Sequence, residues 1–441
     1  MKPIVAIVGR PNVGKSALFN RLVGKRISIV EDTPGVTRDR IYADAEWRST
    51  PFLLIDTGGI EPESKDEILN QMRLQAQAAI ETAHVIIFVV DIKTGITATD
   101  SEVAAMLQKS GKPVVLAVNK VDNIGHPPMD FYEFYNLGLG DPLAVSATQS
   151  LGLGDLLDKA YEYFPEQVDV GEEDDVIRVA VIGRPNAGKS SLINQIIGEQ
   201  RVIVSNVPGT TRDAIDTYYE KDGQKYLLID TAGIRRKSKV DEKIERFSVM
   251  RAFAAVERAD VCILVIDGEG GVAEQDAKIA GYAHEEGKAS VILVNKWDLV
   301  QKETGTMREY KKRVQEQLSF MTYAPIEFIS AKTGSRLEKI FPLIRSVAQQ
   351  HAMRIKTGAL NDIINEATLK VQPPSDKGKR LKIYYGTQPS TKPPTFVLFV
   401  NNKDLAHFSY IRYLENQIRG AFGLEGTPVR FIIRERGEKK M

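Results

Sequence analysis

Two eight-residue segments of the sequence have the residue types and spacing that bind phosphate. GRPNVGKS occupies positions 9–16 and GRPNAGKS occupies positions 183–190, and both fit the pattern GxxxxGK[ST]. The glycines let the backbone wrap around phosphates, the lysine reaches the outer phosphates, and the last hydroxyl binds Mg²⁺. We therefore predict two nucleotide triphosphate sites, built from Gly9, Arg10, Pro11, Asn12, Val13, Gly14, Lys15 and Ser16 and from Gly183, Arg184, Pro185, Asn186, Ala187, Gly188, Lys189 and Ser190.

Two later tetrapeptides, NKVD and NKWD, predict the base that these sites bind. Guanine presents N1–H and an exocyclic amine side by side, so that one carboxylate can accept both hydrogen bonds, and adenine lacks this donor pair. The aliphatic stem of each lysine can cover the purine face. SAT and SAK segments follow where a loop backbone could close over the base. The predicted guanine-binding residues are Asn119, Lys120, Val121, Asp122, Ser146 and Ala147 at the first site, and Asn295, Lys296, Trp297, Asp298, Ser330 and Ala331 at the second.

The segments DTGG and DTAG, together with two TRD segments, predict a Mg²⁺ site and a switch. Each DTxG aspartate can join the metal shell, and its last glycine can place an N–H on the γ-phosphate. A loop held through the TRD threonine would be ordered with triphosphate and released after hydrolysis; the alternative for Thr37 is a solvated loop residue. The predicted metal ligands are Ser16, Thr37, Asp56, Ser190, Thr211 and Asp230, and the predicted catalytic residues are Lys15, Thr37, Asp56, Gly59, Lys189, Thr211, Asp230 and Gly233. The remaining predicted nucleotide contacts are Thr57, Gly58, Ile60, Thr231, Ala232 and Ile234.

The elements that must position these residues alternate between strands and helices. Runs such as PIVAIVG, HVIIFVVD and PVVLAVN are rich in β-branched residues without polar alternation, which is typical of strands buried on both faces of a parallel sheet. Stretches with helical spacing lie between them. The two phosphate loops start 174 residues apart, and LLIDTGGI is repeated later as LLIDTAGI. We therefore predict two copies of one α/β domain, each with a mixed, mostly parallel sheet and helices on both faces.

Length and charge add a third domain with a different character. We predict nucleotide-binding domains at 1–165 and 176–350, an acidic linker at 166–175, and a small α+β domain of order α-β-β-α-β at 351–441. The last region holds 16 Lys and Arg residues against 8 Asp and Glu, whereas the rest of the chain holds 43 against 50. A basic carboxy-terminal domain predicts an anionic partner.

The ordered set GRPNxGKS, PGxTRD, DTxG, NKxD and SA occurs twice and is followed by a basic tail. Over essentially the whole chain it resembles the Der (EngA) family of bacterial tandem-domain GTPases. The resemblance implies two consecutive P-loop G domains and a carboxy-terminal KH-like domain. It also implies hydrolysis of GTP to GDP and phosphate, and association with the large ribosomal subunit and its ribosomal RNA during maturation of that subunit.

The residues that follow the DTxG segments bear on the mechanism. Ras-type enzymes have a glutamine there that orients the attacking water, whereas Ile60 and Ile234 cannot form a hydrogen bond to water. A hydrophobic residue there, with an asparagine in the phosphate loop as at Asn12 and Asn186, is similar to GTPases that recruit K⁺. The resemblance implies that the asparagine oxygen helps place K⁺ where an arginine finger would neutralise charge. The alternative is that each asparagine only braces its loop.

The basic tail offers several RNA contacts. KH modules grip a nucleic-acid backbone through a GxxG loop, but GLEG at 423–426 follows the long helix instead of joining two helices. Basic residues could bind phosphates instead, or form a solvated rim, and RRKSK at 235–239 is either a solvated switch loop or an RNA- or tail-facing contact. Aromatic residues at 384, 385, 396 and 399 are expected in the core. The basic candidates are Lys377, Lys379, Arg380, Lys382, Arg434, Arg436, Lys439 and Lys440.

Composition and apolar run lengths narrow the class of protein. One cysteine, Cys262, allows no intrachain disulfide, and its place in the apolar run VCILVID predicts a buried core thiol, so we expect no disulfide-linked partner. Apolar runs such as VIIFVV are far shorter than the ~20 residues that span a bilayer. We expect a cytoplasmic, Mg²⁺-dependent and K⁺-stimulated GTPase that binds the large ribosomal subunit. The alternatives are an RNA-binding scaffold with negligible turnover, a membrane-linked transport GTPase, and an RNA-modification partner of related type.

Overall fold

The computed structural model describes residues 2–23, 42–57, 65–123, 125, 127–165, 176–198, 216–229, 245–376 and 379–435. The chain divides into two compact units. The first is formed by Met1–Glu173 with Val240–Glu257, and the second by Asp174–Lys239 with Arg258–Met441. No helix in the described ranges is long and apolar enough to cross a membrane. Each unit contains one phosphate loop, and the second also contains the basic carboxy-terminal region.

The first unit is built on one six-stranded sheet. Its strands are β1 (Ile4–Val8), β2 (Tyr42–Trp47), β3 (Thr50–Asp56), β4 (Val85–Asp91), β5 (Val114–Asn119) and β6 (Leu143–Ala144). They lie in the order β2-β3-β1-β4-β5-β6, with β2 antiparallel to β3 and the other neighbours parallel. The helices between them are α1 (Lys15–Val23), α2 (Lys65–Thr82), α3 (Ala98–Ser110) and α4 (Leu153–Tyr161), with a 3₁₀ segment at Met129–Leu137.

The second unit repeats this sheet. Its strands are β7 (Val176–Ile182), β8 (Thr217–Lys221), β9 (Gln224–Ile229), β10 (Val261–Asp267), β11 (Ala289–Asn295) and β12 (Ile326–Phe328), in the order β12-β11-β10-β7-β9-β8. Only β8 and β9 pair antiparallel among the described strands of this sheet. The helices in this part of the sequence are α5 (Lys189–Gly198), α6 (Glu245–Arg258), α7 (Glu274–Glu285), α8 (Thr306–Gln317) and α9 (Ile340–His351). Residues of α6 up to Glu257 belong to the first unit, where the Phe253 ring packs against Tyr42 with centroids 4.2 Å apart.

The carboxy-terminal region adds a small α+β layer to the second unit. It consists of α10 (Thr357–Lys370), a short antiparallel pair β13 (Ser375–Asp376) and β14 (Lys379–Arg380), then β15 (Ile383–Ser390), β16 (Thr395–Val400), α11 (Phe408–Phe422) and β17 (Arg430–Glu435). β16 is central, antiparallel to β15 and parallel to β17. Leu360, Ile364, Leu398, Leu414 and Ile418 are among the buried residues through which α10 and α11 pack against this sheet. The predicted fold class, two mostly parallel α/β domains and an α+β domain, is confirmed.

The predicted site residues lie at the carboxyl ends of the central strands, on one edge of each α/β sheet. β1 and β7 run directly into the phosphate loops, and β5 and β11 end at the asparagines of NKVD and NKWD. β4 is buried along its whole length, as the apolar run predicts. Because the carboxyl ends of parallel strands lie together, phosphate and base loops that are about 110 residues apart in sequence become neighbours.

Candidate nucleotide-binding sites

The two phosphate loops adopt the same backbone conformation. Asn12 and Asn186 have positive φ values of 62° and 60°, and Gly14 and Gly188 have φ values of 95° and 94°. A Cβ at Gly14 would lie 2.3 Å from the side-chain nitrogen of Asn119, and one at Gly188 would lie 2.1 Å from that of Asn295. Glycine is therefore required at these positions for its backbone freedom and for the approach of the guanine loop.

The phosphate-loop lysines lie inside the loops that they serve. Lys15 Nζ donates to Arg10 O at 2.8 Å, and Lys189 Nζ donates to Arg184 O at 2.6 Å. Lys15 is only 6% exposed. Burial lowers its pKa to about 8, and the nearby carboxylate of Asp56 partly opposes this shift. An anionic phosphate in the loop would favour the charged ammonium, because an opposite charge at close range stabilises it.

The structure joins two of the predicted metal ligands at the first site. Ser16 Oγ donates to Asp56 Oδ2 at 2.8 Å, although the two residues are 40 positions apart. A hydroxyl and a carboxylate oxygen that converge in this way fit Mg²⁺, which prefers hard oxygen ligands. The predicted residues Thr37, Gly58, Gly59, Ile60, Thr211, Asp230, Thr231, Ala232, Gly233 and Ile234, and the segment 235–239, lie outside the described residues.

The asparagine of each guanine motif connects three loops. Asn119 Nδ2 donates to Val13 O at 2.7 Å, and Asn119 Oδ1 accepts from Ala147 N at 3.0 Å. Asn295 makes the same two bonds at 2.9 Å each, to Ala187 O and from Ala331 N. Asn119 and Asn295 are 2% exposed. The two asparagines therefore fix the phosphate loop, the NKxD loop and the SA loop relative to one another.

Each guanine-motif lysine is anchored by a carboxylate that the sequence analysis did not single out. Lys120 Nζ contacts Asp91 Oδ2 and Lys296 Nζ contacts Asp267 Oδ2, both at 2.6 Å. Although burial opposes it, the hydrogen bond from Lys296 holds the pKa of Asp267 below its ordinary value. These aspartates end β4 and β10 at the same place in the repeat. That repetition is the signal by which the sequence could have revealed them.

The two aspartates predicted to bind guanine have solvent-exposed side chains. The Asp122 side chain is 61% exposed, and its Oδ1 accepts from Gln149 Nε2 at 3.3 Å. Asp298 is also exposed. A hydrogen bond from the Ser330 side chain holds the pKa of Asp298 below its ordinary value. Both carboxylates are thus available as acceptors beside the loops that would enclose the base.

Several predicted contacts can reach a nucleotide only through their backbone, because their side chains are committed elsewhere. Thr57 Oγ1 donates to Ile7 O at 2.6 Å and is buried. Trp297 packs in the core, with ring centroids 4.3 Å from Phe328. Further predicted residues with buried side chains include Val13, Val121, Ala187 and Ser146.

The phosphate-loop arginines hold a buried carboxylate that the sequence analysis also missed. Arg10 Nε lies 3.3 Å from Asp100 Oδ2, and Arg184 N donates to Asp276 Oδ1 at 2.9 Å. Asp100 and Asp276 are fully buried at the starts of α3 and α7. Arg184 Nε also lies 3.8 Å from Asp276 Oδ2, so that the arginines tie each phosphate loop to a neighbouring helix.

The GLEG segment does not form a free nucleic-acid loop. Gly426 N donates to Tyr323 O at 2.8 Å, and Gly426 O accepts from Ser290 N at 2.7 Å. Leu424 is 0% exposed, and its N–H donates to Gln350 Oε1 at 2.7 Å. The turn is therefore part of the contact between the carboxy-terminal region and the second α/β domain.

Two of the aromatic residues expected in the tail core are instead exposed. Phe396 is buried as expected, but Tyr384 and Tyr385 are 36% and 43% exposed. Tyr385 stacks on Phe399 with ring centroids 4.4 Å apart on the sheet face. For Tyr385 the cause is sheet geometry, since α10 and α11 pack on the opposite face, and Tyr384 lies at an irregularity in the pairing of β15 with β16. Lys379, Arg380, Lys382 and Arg434 lie in the described tail, whereas Lys377, Arg436, Lys439 and Lys440 lie outside the described residues.

Comparison with known proteins agrees with this geometry. A family model described as "50S ribosome-binding GTPase" matches residues 4–120 and 178–296, and one described as "KH-domain-like of EngA bacterial GTPase enzymes, C-terminal" matches residues 354–434. Proteins named GTPase Der from Ruminiclostridium cellulolyticum, Acetivibrio thermocellus and Clostridium tetani are 68%, 66% and 61% identical. Each alignment covers 99% of this chain and at least 99% of the relative. With both phosphate loops, both guanine loops and the KH-like tail in place, the chain belongs to the Der (EngA) family of GTPases.

Proposed function

We propose that this chain is a ribosome biogenesis factor that hydrolyses GTP at two sites and associates with the large ribosomal subunit in a nucleotide-dependent manner. The observation that carries the proposal is the two sets of hydrogen bonds through Asn119 and Asn295, each joining a phosphate loop to a guanine loop. The family model over both domains supports a ribosomal partner.

Within this function the predicted site residues take specific roles. Lys15 and Lys189 would hold the outer phosphates, and Asp122 and Asp298 would accept from guanine. Ser16 and Asp56 would hold Mg²⁺, which when bound neutralises charge on the β- and γ-phosphates. The matching residues outside the described ranges receive their roles from their place in the motifs. They are Thr37, Gly59, Thr211, Asp230 and Gly233. Ser190 is described and would be the second-site counterpart of Ser16.

We also propose that K⁺ stimulates hydrolysis through Asn12 and Asn186. Both residues are exposed on their loops with nearly equal φ values, so that each side chain is free to help place a cation. Replacing K⁺ by Na⁺ at constant ionic strength should lower turnover by about tenfold, because charge at the transition state is then less well neutralised. The double variant Asn12→Ala/Asn186→Ala should show no difference between the salts. Equal wild-type rates in the two salts would leave GTPase activity standing and remove the K⁺ role.

Subunit binding tests the main proposal. The full chain is sedimented with purified large ribosomal subunits in the presence of GDP, a non-hydrolysable GTP analogue or no nucleotide. Binding should be strongest with the analogue and should weaken in Lys15→Ala, in Lys189→Ala or in both. Nucleotide-independent binding with no measurable hydrolysis would favour the scaffold alternative. No binding in any state would contradict the proposal.

A further inference from the structure

We propose that the second G domain carries a surface for RNA phosphates at its guanine end, centred on α8, and that the first G domain has no counterpart. This proposal rests on the proposed function, because it names the part of the chain that contacts ribosomal RNA. The α8 surface consists of the exposed basic residues Lys302, Arg308, Lys311, Lys312, Arg313, Lys332 and Lys339.

The charge of this region is opposite in the two copies. Residues 123–164, which follow the first NKxD motif, contain one Lys or Arg and six Asp or Glu. Residues 299–350, which follow the second, contain nine Lys or Arg and five Asp or Glu. The net charges are −5 and +4, although the nucleotide-contacting motifs of the two copies are nearly identical. The positive charge of residues 299–350 is therefore not needed for the fold or for the nucleotide loops, because the corresponding segment of the first domain is negatively charged.

The secondary structure after the guanine motif also differs between the two domains. The first domain places the 3₁₀ segment Met129–Leu137 after its guanine motif, with Asp130 and Glu133 and no basic residue. The second places the 12-residue helix α8 there, with four basic residues and two acidic ones. Tyr310 and Val314 face the core and are buried. Arg308, Lys311 and Lys312 recur at the i, i+3 and i+4 spacing, so they share one stripe on the solvent side.

The cations of this stripe are open to a ligand. In the described ranges no carboxylate lies within ion-pair distance of the Arg308 or Lys311 side chains. Lys312 has a loose contact with Glu316 at 3.7 Å, and its side chain is 78% exposed. The Arg313 guanidinium lies 5.2 Å from the centre of the Tyr310 ring, which orients it without neutralising it. Arg308 and Lys311, which have no carboxylate partner among the described residues, and Lys312, whose ion pair is long and exposed, are therefore suited to phosphate oxygens.

The surface continues to the rim of the guanine pocket. A cavity of about 510 Å³ is lined by Asp298 and Ser330 together with the basic residues Lys302, Arg308 and Arg336. An RNA backbone on the α8 surface would therefore lie beside the loops that hold the second nucleotide. RNA is favoured over an acidic protein because the same compact unit also contains the basic carboxy-terminal region.

The test uses a charge-removal variant and a matched control in the full chain. The test variant is Lys311→Gln/Lys312→Gln/Arg313→Gln, which keeps good helix formers in α8 and touches neither phosphate loop. The control is Arg73→Gln/Lys109→Gln/Lys159→Gln, which removes the same number of cations from the first G domain, two of them ion-paired with Glu102 and Glu162. Both are loaded with a non-hydrolysable GTP analogue. Binding is measured to purified large subunits and to deproteinised large-subunit RNA across a salt series.

The expected result is specific to the α8 variant. At about 150 mM salt its affinity for both probes should fall at least tenfold, and the slope of log K against log salt should become shallower by about 2, as the loss of three phosphate contacts requires. The control should match the wild type, and GTP hydrolysis without ribosomes should be unchanged in both. Lys311→Arg/Lys312→Arg should retain binding.

Other outcomes overturn the proposal. An unchanged affinity and slope for the α8 variant, with wild-type nucleotide-dependent subunit binding, would refute the α8 surface and leave the proposed function intact. Weaker binding to intact subunits but not to deproteinised RNA would assign α8 to a ribosomal protein instead. If the wild type fails to bind subunits, the proposed function fails, and the RNA arm still decides whether α8 binds RNA.

Discussion

The first and second G domains have matching nucleotide loops but differ in the surface segments that follow their guanine motifs. Asn119 and Asn295 make matching hydrogen bonds, and Gly14 and Gly188 have φ values that differ by one degree. In contrast, the segments that follow the guanine motifs differ in length, secondary structure and sign of charge.

This contrast separates two kinds of constraint. Residues that would touch nucleotide must meet atoms at fixed distances, so both copies keep the same types in the same conformations. Surface residues near the base are free of that constraint and can be shaped by partners.

The shared interior predicts equal damage from equal substitutions. Gly14→Ala at the first site, or Gly188→Ala at the second, would combine an unfavourable positive φ with a Cβ within 2.3 Å of the guanine-loop asparagine. The cost of about 4 kcal/mol corresponds to roughly 1000-fold weaker GTP binding at that site alone. Titration with a fluorescent GTP analogue measures it. Gly111→Ala is the control, because its φ is also positive but no atom lies within 4 Å of the added Cβ.

The guanine aspartates should behave alike but depend on different neighbours. Asp122→Asn and Asp298→Asn should each weaken GTP binding at their own site by about 50-fold, because a charge-assisted pair of hydrogen bonds is lost. Each should also admit xanthosine triphosphate, whose 2-oxo group can accept from the new amide. Ser330→Ala should weaken only the second site, and by a few fold, since Ser330 supports Asp298. Unchanged GTP affinity without a gain for the xanthine nucleotide would refute the assignment of these aspartates.

The second unit should be the acid-sensitive one, because it contains the buried His351 and the half-buried His284 where the KH-like region packs. Burial, with Lys288 and Lys392 nearby, lowers the pKa of His351 to about 3 while the imidazole contacts the Thr427 hydroxyl at 2.8 Å. Burial, with arginines 430 and 419 nearby, lowers that of His284 to about 4. Unfolded histidine titrates near 6.5, so unfolding takes up protons below that pH. Stability is therefore lost as pH falls from about 6.5 toward about 4.

Each unit contains one tryptophan, which makes this loss measurable. The chain has only Trp47 in the first unit and Trp297 in the second. In a Trp47→Phe background, urea unfolding followed by Trp297 fluorescence should show a loss of about 2 kcal/mol from His351 alone between pH 7 and pH 5. His351→Asn should reduce this pH dependence. An identical unfolding free energy at both pH values would show that the histidines are not buried neutral.

Local patterns were enough to predict much of the fold and of the nucleotide sites. Apolar runs such as Val85–Asp91 specify buried strands, and the glycine spacing of the phosphate loops specifies a backbone conformation. Both signals lie within a few consecutive residues. They can therefore be recognised without knowledge of the tertiary structure. The contact between Ser16 and Asp56 follows from the order of the motifs.

What the sequence did not reveal depends on contacts between distant segments. The partners of Arg10 and Arg184 lie about 90 residues away and became visible only when α3 and α7 were placed. The sequence predicts that Tyr385 lies in a strand but not which face of the sheet it occupies. Only the position of α10 and α11 shows that it lies on the solvent face. GLEG has a nucleic-acid spacing but a packing role, because its neighbours in space come from Tyr323, Ser290 and Gln350.

The buried turn at Gly423–Gly426 limits how this chain can change over evolutionary time. Its backbone completes hydrogen bonds with Ser290 and Tyr323, and a Cβ at Gly426 would lie 2.4 Å from Val347. A recombination event that exchanged the carboxy-terminal domain for one with a differently shaped turn would leave those backbone groups buried without their partners. Each orphaned group would cost about 1–3 kcal/mol. The second G domain and the KH-like domain are therefore expected to be inherited as one block, with substitutions on one side of the turn compensated on the other.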